Sequence, residues 1–166
     1  MTGGENPACV RFASGRLLLL VLARPLSDGV VVIRAPVEGD AALLVAGRDE
    51  EFHRFMGAGD EHPSPTACIV VDEEIVGWVD YEVDRAWLLP GEVNVGYNVF
   101  ATRRGNGYAT RAVELLLQHL ADDTLYDTAT LLIDPLNERS LAIARRARFT
   151  AHGDLDGSSY WKRRVR

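Results

Sequence analysis

At 166 residues the chain is the size of one domain, large enough to bury a core without disulfide or metal staples. Its 47% apolar and 25% charged residues exclude a disordered or collagen-like protein. With 18 Lys and Arg against 24 Asp and Glu, the formal charge of −6 argues against a nucleic-acid partner, while leaving room for a local anion site. Cys9 and Cys68 are the only cysteines, and His53, His62, His119 and His152 show no ligand spacing. Neither a disulfide framework nor a metal is expected.

In chain order, residues 1–7 are small and polar and predict a loose terminus. The apolar run at 17–23 is far short of the ~20 residues of a membrane helix. Arg24-Pro25 follows it where a signal peptide would need small residues. The run reads as a buried strand, and the protein as cytoplasmic with no membrane partner. Residues 17–22 and 30–33 predict two strands, paired as a hairpin about Asp28-Gly29. Asp40 is placed to cap a helix over 41–56, with Gly47 a break inside it. Gly, Pro and Ser make 57–66 a loop, and strands follow at 67–71, 75–83 and 92–100. Ala109, Ala112, Val113, Leu116, Leu117 and Leu120 then fall on one helical face. A strand at 128–133 ends at Asp134-Pro135, Asn137 caps a helix to about residue 148, and one or two strands close the chain near Val165. This order describes a mixed α/β domain.

The segment most informative about chemistry joins the strand at 92–100 to the long helix through Arg103-Arg104-Gly105-Asn106-Gly107. Glycines without Cβ let bare N–H groups approach an anion, and the helix start adds unpaired donors and the positive end of its dipole. Arg103 or Arg104 supplies a charged fork at the same place. The pattern is a pyrophosphate cradle. It is not a P-loop, because no Lys is present, and Thr110 stands where a dinucleotide fingerprint has its third small residue.

Arg104-Gly-Asn-Gly-Tyr-Ala109 resembles the Arg/Gln-x-x-Gly-x-Gly/Ala signature of the GNAT superfamily of acetyl-CoA-dependent N-acetyltransferases. Asn137-Glu-Arg-Ser140 followed by Phe149 resembles the Asn-x-x-Ser…Gly-Phe signature of its last helix, as found in the ribosomal-protein alanine acetyltransferase-like branch. The resemblance implies an α/β (α+β) GNAT fold, a mixed and mostly antiparallel sheet flanked by helices. It divides the chain into an N-terminal extension with a strand at 1–29 and the acetyltransferase domain at 30–166. It further implies acetyl-CoA as co-substrate, with Val99, Phe100 and Ala101 lending backbone groups to the pantetheine arm. Arg104, Gly105, Asn106, Gly107, Ala109 and Thr110 would wrap the pyrophosphate, and Asn137 would contact the cofactor from the neighbouring unit. Arg139, Arg145, Arg146 and Arg148 form a basic cluster suited to the 3′-phosphate, with Arg146 taken as its representative.

Three features depart from the resemblance, one being Arg148 where the motif has Gly before Phe149, which predicts a different cap for that helix. The Tyr that many relatives carry seven residues after the Asn is Ala144 here, so Ser140 is the expected hydrogen-bond donor to the thiol sulfur. A Glu commonly found two residues before the strand glycine is Asn94, which leaves Glu92, or Asp80 and Glu82 on the preceding strand, as candidate bases, acting through water. Glu92 is the first choice. Tyr97, Trp78, Tyr81 and Trp87 either line an acceptor pocket or pack as strand aromatics. The implied reaction is direct acetyl transfer to a primary amine, a protein N-terminus or a small amine. The alternative is a non-catalytic acyl-CoA-binding regulatory module. A homodimer is left open.

Overall fold

The computed structural model describes residues 22–166 in full and, before them, only the backbone of residues 9–11 and 17–19. The expected loose terminus at 1–7 lies outside the described residues. Strands β1 (Cys9–Arg11) and β2 (Leu17–Leu19) pair with each other in a two-stranded sheet of their own. Here the structure corrects the sequence reading, which paired 17–22 with 30–33. The partner of β4 (Val32–Arg34) is instead the short β3 (Leu26–Ser27). The turn itself is as expected: Asp28 accepts hydrogen bonds from Val30 N and Val31 N at 3.0 and 2.9 Å.

Helices α1 (Asp40–Ala46) and α2 (Glu50–Met56) follow, separated at Gly47. Asp40 is the first helical residue and not the cap. Its carboxylate reaches back to Val37 N at 2.8 Å and pairs with Arg34 at 2.6 Å, which ties α1 to β4. The cap of α2 is Asp49, whose side chain accepts from Phe52 N at 3.0 Å.

Three antiparallel strands come next: β5 (Ala67–Val71), β6 (Glu74–Glu82) and β7 (Glu92–Val99). Gly77 is required in β6 because a Cβ there would stand 2.0 Å from Asn98 O. A 3-10 turn (Ala101–Arg103) leads through the glycine loop into α3 (Tyr108–Asp123). The apolar face of α3 is buried as its spacing predicts, widened by Leu115, and the burial of each such leucine contributes about 1.5–3 kcal/mol. Strand β8 (Thr128–Ile133), helix α4 (Glu138–Arg146), β9 (Thr150–Leu155) and β10 (Ser158–Arg164) complete the chain.

The eight strands of the main sheet lie in the order β3-β4-β5-β6-β7-β8-β10-β9. Every neighbouring pair is antiparallel except β7 and β8. That parallel pair holds only from Glu92↔Thr128 to Asn94↔Thr130. Beyond it β7 runs on to Val99 and β8 to Ile133 without pairing, so the sheet forks.

Helix α4 ends in a Schellman-type cap, with Phe149 N bonded to Ala144 O at 2.9 Å and Arg148 N to Arg145 O at 3.0 Å. The motif requires a left-handed residue, and Arg148 occupies it at φ 58, a conformation that is costly for any side chain with a Cβ. Arg148→Gly should therefore raise stability by about 0.5–1 kcal/mol, read as a higher urea midpoint. A lower midpoint would show that the Arg148 side chain itself stabilises the fold.

Candidate active site

The fork in the sheet is where the main chain of β7 becomes available. In an antiparallel ladder, hydrogen-bonded and non-bonded residue pairs alternate. Phe100 N bonds to Val76 O at 2.8 Å, and the register sets Val99 opposite Gly77 and Tyr97 opposite Val79. Tyr97 and Val99 therefore turn their N–H and C=O groups away from β6, toward the side that β8 has left. The Val99 carbonyl is taken by Arg104 Nε at 2.9 Å.

A cavity of about 420 Å³ opens on the β7 side of the fork. Its walls come from β7 (Tyr97, Asn98, Val99), the glycine loop and start of α3 (Arg103–Gly105 and Gly107–Thr110), the start of α4 and α2. Gly105 and Gly107 have φ of 83 and 78, and no atom would meet a Cβ at either within 4 Å. These glycines are therefore needed for their backbone conformation, and they leave the cradle open. The cradle faces the α3 N-terminus, where the first-turn N–H groups have no helical partner.

Most of the expected site residues are brought together: Val99, Arg104, Gly105, Gly107, Ala109, Thr110, Asn137, Ser140 and Arg146 all line the cavity. Asn137 also caps α4, accepting from Ser140 N at 3.1 Å. Phe100, Ala101, Asn106 and Glu92 are not among the lining residues. Phe100 gives its N–H to Val76 of β6, while the Phe100 and Ala101 carbonyls accept from Arg103 N and Arg104 N within the 3-10 turn. Asn106 folds back on the carbonyls of Arg103 and Arg104. Glu92, at the far end of β7, is paired with Lys162 at 2.6 Å and accepts from Leu89 N. Burial would raise its pKa, but Lys162 and the Leu89 amide outweigh that and hold it low. The other candidate bases are also engaged. Asp80 binds Thr66 N and Oγ1 at 2.9 and 2.6 Å, and Glu82 is paired with Arg85 at 2.6 Å.

The basic cluster on α4 divides. Arg139 and Arg146 face the cavity, Arg145 lies over the Trp161 ring, and Arg148 forms the cap. Arg146 makes no ion pair among the described residues. The whole α2 wall, with Glu51, Phe52, Phe55 and Met56, escaped the sequence reading, because no local pattern ties α2 to a loop some fifty residues later. Tyr97 had been weighed only as an acceptor-pocket or packing residue, and Asn98 not at all.

Helix α2 also clamps the cradle. Arg104 is held by Asp49 in a bidentate pair at 2.6 and 2.8 Å and by Glu51 at 3.2 Å. Glu51 bridges on to Arg139 at 2.9 Å. The Arg104 guanidinium lowers the Asp49 pKa from its ordinary 3.8 to about 2. A carboxyl depressed in this way stabilises the fold fully above its unfolded value, and the contribution is lost as the pH falls from about 4 toward 2. Asp49 is partly open to solvent, so the contribution is of order 1 kcal/mol. Asp49→Asn keeps a capping side chain and should flatten the acid limb of stability between about pH 4 and 2. An unchanged limb in urea titrations would show that the pair contributes nothing net.

A sequence profile described as the acetyltransferase (GNAT) domain matches residues 31–150, whereas no curated protein matches the chain. Among solved structures, a GNAT-family acetyltransferase from Bacillus anthracis superposes with a TM-score of 0.71 at 11% identity, over 86% of this chain and 99% of that one. RimL, a ribosomal alpha-N-protein acetyltransferase in complex with coenzyme A, gives 0.70 at 16% identity, over 85% and 98%. An aminoglycoside acetyltransferase in complex with coenzyme A gives 0.69 at 19%, over 81% and 94%. The forked sheet with its glycine cradle and the profile match over most of the chain agree, and the chain belongs to the GNAT acetyltransferase family.

Proposed function

We propose that this protein moves an acetyl group from acetyl-CoA to a primary amine, either a protein N-terminus or a small amine, in one direct step. The observation that carries the reading is the cavity at the fork. Open amide groups line it on the β7 side, and a cradle of glycine N–H groups, a helix N-terminus and arginines closes its other end. Acetyl-CoA, once bound, supplies an electrophilic thioester carbon and a thiol leaving group. Gly105, Gly107 and the first turn of α3 would hold the pyrophosphate, with Arg146 and Arg139 toward the remaining phosphate. The Val99 N–H, turned into the gap, is the donor for negative charge developing on the acyl oxygen. Ser140 stands at the α4 wall as a donor toward sulfur. The ammonium proton of the acceptor leaves to water, because Glu92, the expected sink, lies outside the cavity and is held a weak base by Lys162. That solved relatives include both a ribosomal-protein and an aminoglycoside acetyltransferase is the reason to test both acceptor classes.

Calorimetric titration with acetyl-CoA, with ATP and NAD as controls, tests the cofactor. Arg146→Ala should weaken binding about tenfold, the scale of one charge-assisted hydrogen bond. Arg104→Ala should weaken it at least as much, because it also leaves Asp49 and Glu51 unpaired beside the phosphates. Unchanged affinity in both variants would remove the phosphate assignment. Thiol release on adding an amine separates the enzyme from a non-catalytic acyl-CoA-binding module, which would bind and release nothing.

A further inference from the structure

Among the described residues, five buried side-chain polar atoms have no hydrogen-bond partner, and three of them are on β7: Asn94 Oδ1, Tyr97 OH and Asn98 Nδ2. Of these, Tyr97 and Asn98 line the cavity. The Tyr97 ring packs against the hydrophobic core, so the position of its hydroxyl is fixed by packing. Alternation along the strand turns Tyr97 to the opposite face from Asn98, and Ser140 of α4 lies beside its hydroxyl without completing a hydrogen bond. A buried hydroxyl left unpaired is costly. The fold therefore holds a rigid donor at the cavity wall, beside Ser140 and able to bond an occupant.

Burial pushes the Tyr97 phenol up to about 12, so it stays protonated through the neutral range. Its proton is too tightly held to pass to a thiolate, because an alkyl thiol remains the stronger acid of the two. It is suited to donating a hydrogen bond without giving up the proton. On α4, the position where the resemblance would place a Tyr is Ala144, fully buried and without a polar side-chain atom.

We propose that Tyr97 is a catalytic residue, whose phenol donates a hydrogen bond to the departing sulfur from the wall it shares with Ser140. In the step, the amine lone pair forms the new N–C bond, and the C–S electron pair leaves on sulfur as a thiolate. The ammonium proton goes to water, and Tyr97 keeps its own. This rests on the acetyl-CoA reading above and adds to it the identity of the sulfur-side donor.

The test compares CoA with desulfo-CoA, which lacks only the sulfur, in titrations of the wild-type protein and Tyr97→Phe at about pH 10, where a much larger share of the free thiol is ionised than at neutral pH. The wild-type protein should prefer CoA over desulfo-CoA by about tenfold or more, the scale of a hydrogen bond to a charged group. Tyr97→Phe should lose that preference while binding desulfo-CoA as tightly as before. In turnover, kcat should fall about 10- to 100-fold with the KM for acetyl-CoA unchanged. The unfolding temperature should stay level or rise, because the variant removes an unpaired buried hydroxyl; a purely structural Tyr97 would instead lower it. If Tyr97→Phe keeps the preference for CoA, the assignment to Tyr97 is wrong while the acetyl-CoA reading stands. If the folded wild-type protein binds neither compound, both readings fall together.

Discussion

Two parallel strands that pair for three residues and then part leave main-chain groups on both sides without strand partners, and nearly everything at this site follows from that separation of β7 and β8. Buried amide groups are ordinarily satisfied, so a fork inside a sheet persists only where something else holds the strands. Here the hold comes from both flanks. The antiparallel ladder to β6 runs from Asn94 to Val99, past the point where β8 departs, and Gly77 allows a close approach there that no other residue would permit. On the other side, β8 is secured by six residue pairs with β10. Each strand is anchored by its outer neighbour, and the gap between them stays open.

Helix α2 completes the arrangement electrostatically. Four arginines at the cavity would repel one another if left bare. Three of them are instead matched: Arg103 by Glu74, Arg104 by Asp49 and Glu51, and Arg139 by Glu51. The Asp49 carboxylate serves twice, as the cap of α2 and as the partner of Arg104. One side chain thus links the start of a helix to the start of the glycine loop. The ε-nitrogen of the same arginine holds the Val99 carbonyl, so loop, helix and strand end are fixed through a single guanidinium.

How much of this was legible in the sequence depended on the range of the interaction. The helical spacing of α3, the Asn137 cap and the glycine loop are local patterns, and each appears where the residues predicted it. The strand at 128–133 was legible for the same reason. The hairpin was misassigned because the long apolar run at 17–22 outweighed the two-residue β3, although Asp28-Gly29 marked the turn correctly. At the site, Phe100 and Ala101 were assigned by their place in the motif. Their carbonyls are used by the 3-10 turn, a choice between strand and turn that rests on a few hydrogen bonds. The clamp by α2 and the ion pair of Glu92 with Lys162, seventy residues away, are tertiary contacts that no spacing encodes.

The matched arginines bear on how an anion is held in the cradle. With Arg103, Arg104 and Arg139 already paired to carboxylates, an incoming phosphate gains little from their charge unless it displaces those partners. Displacement would leave Asp49 and Glu51 close to the phosphate, which is unfavourable at short range. The unopposed contribution comes from the N–H groups of the glycine loop, from the α3 dipole and from Arg146. Fixed dipoles cost no rearrangement when the ligand arrives. In a protein with a net charge of −6, that explains how a polyanion can be bound without a broadly basic surface: the attraction is short-ranged, directional and confined to the mouth of one fork.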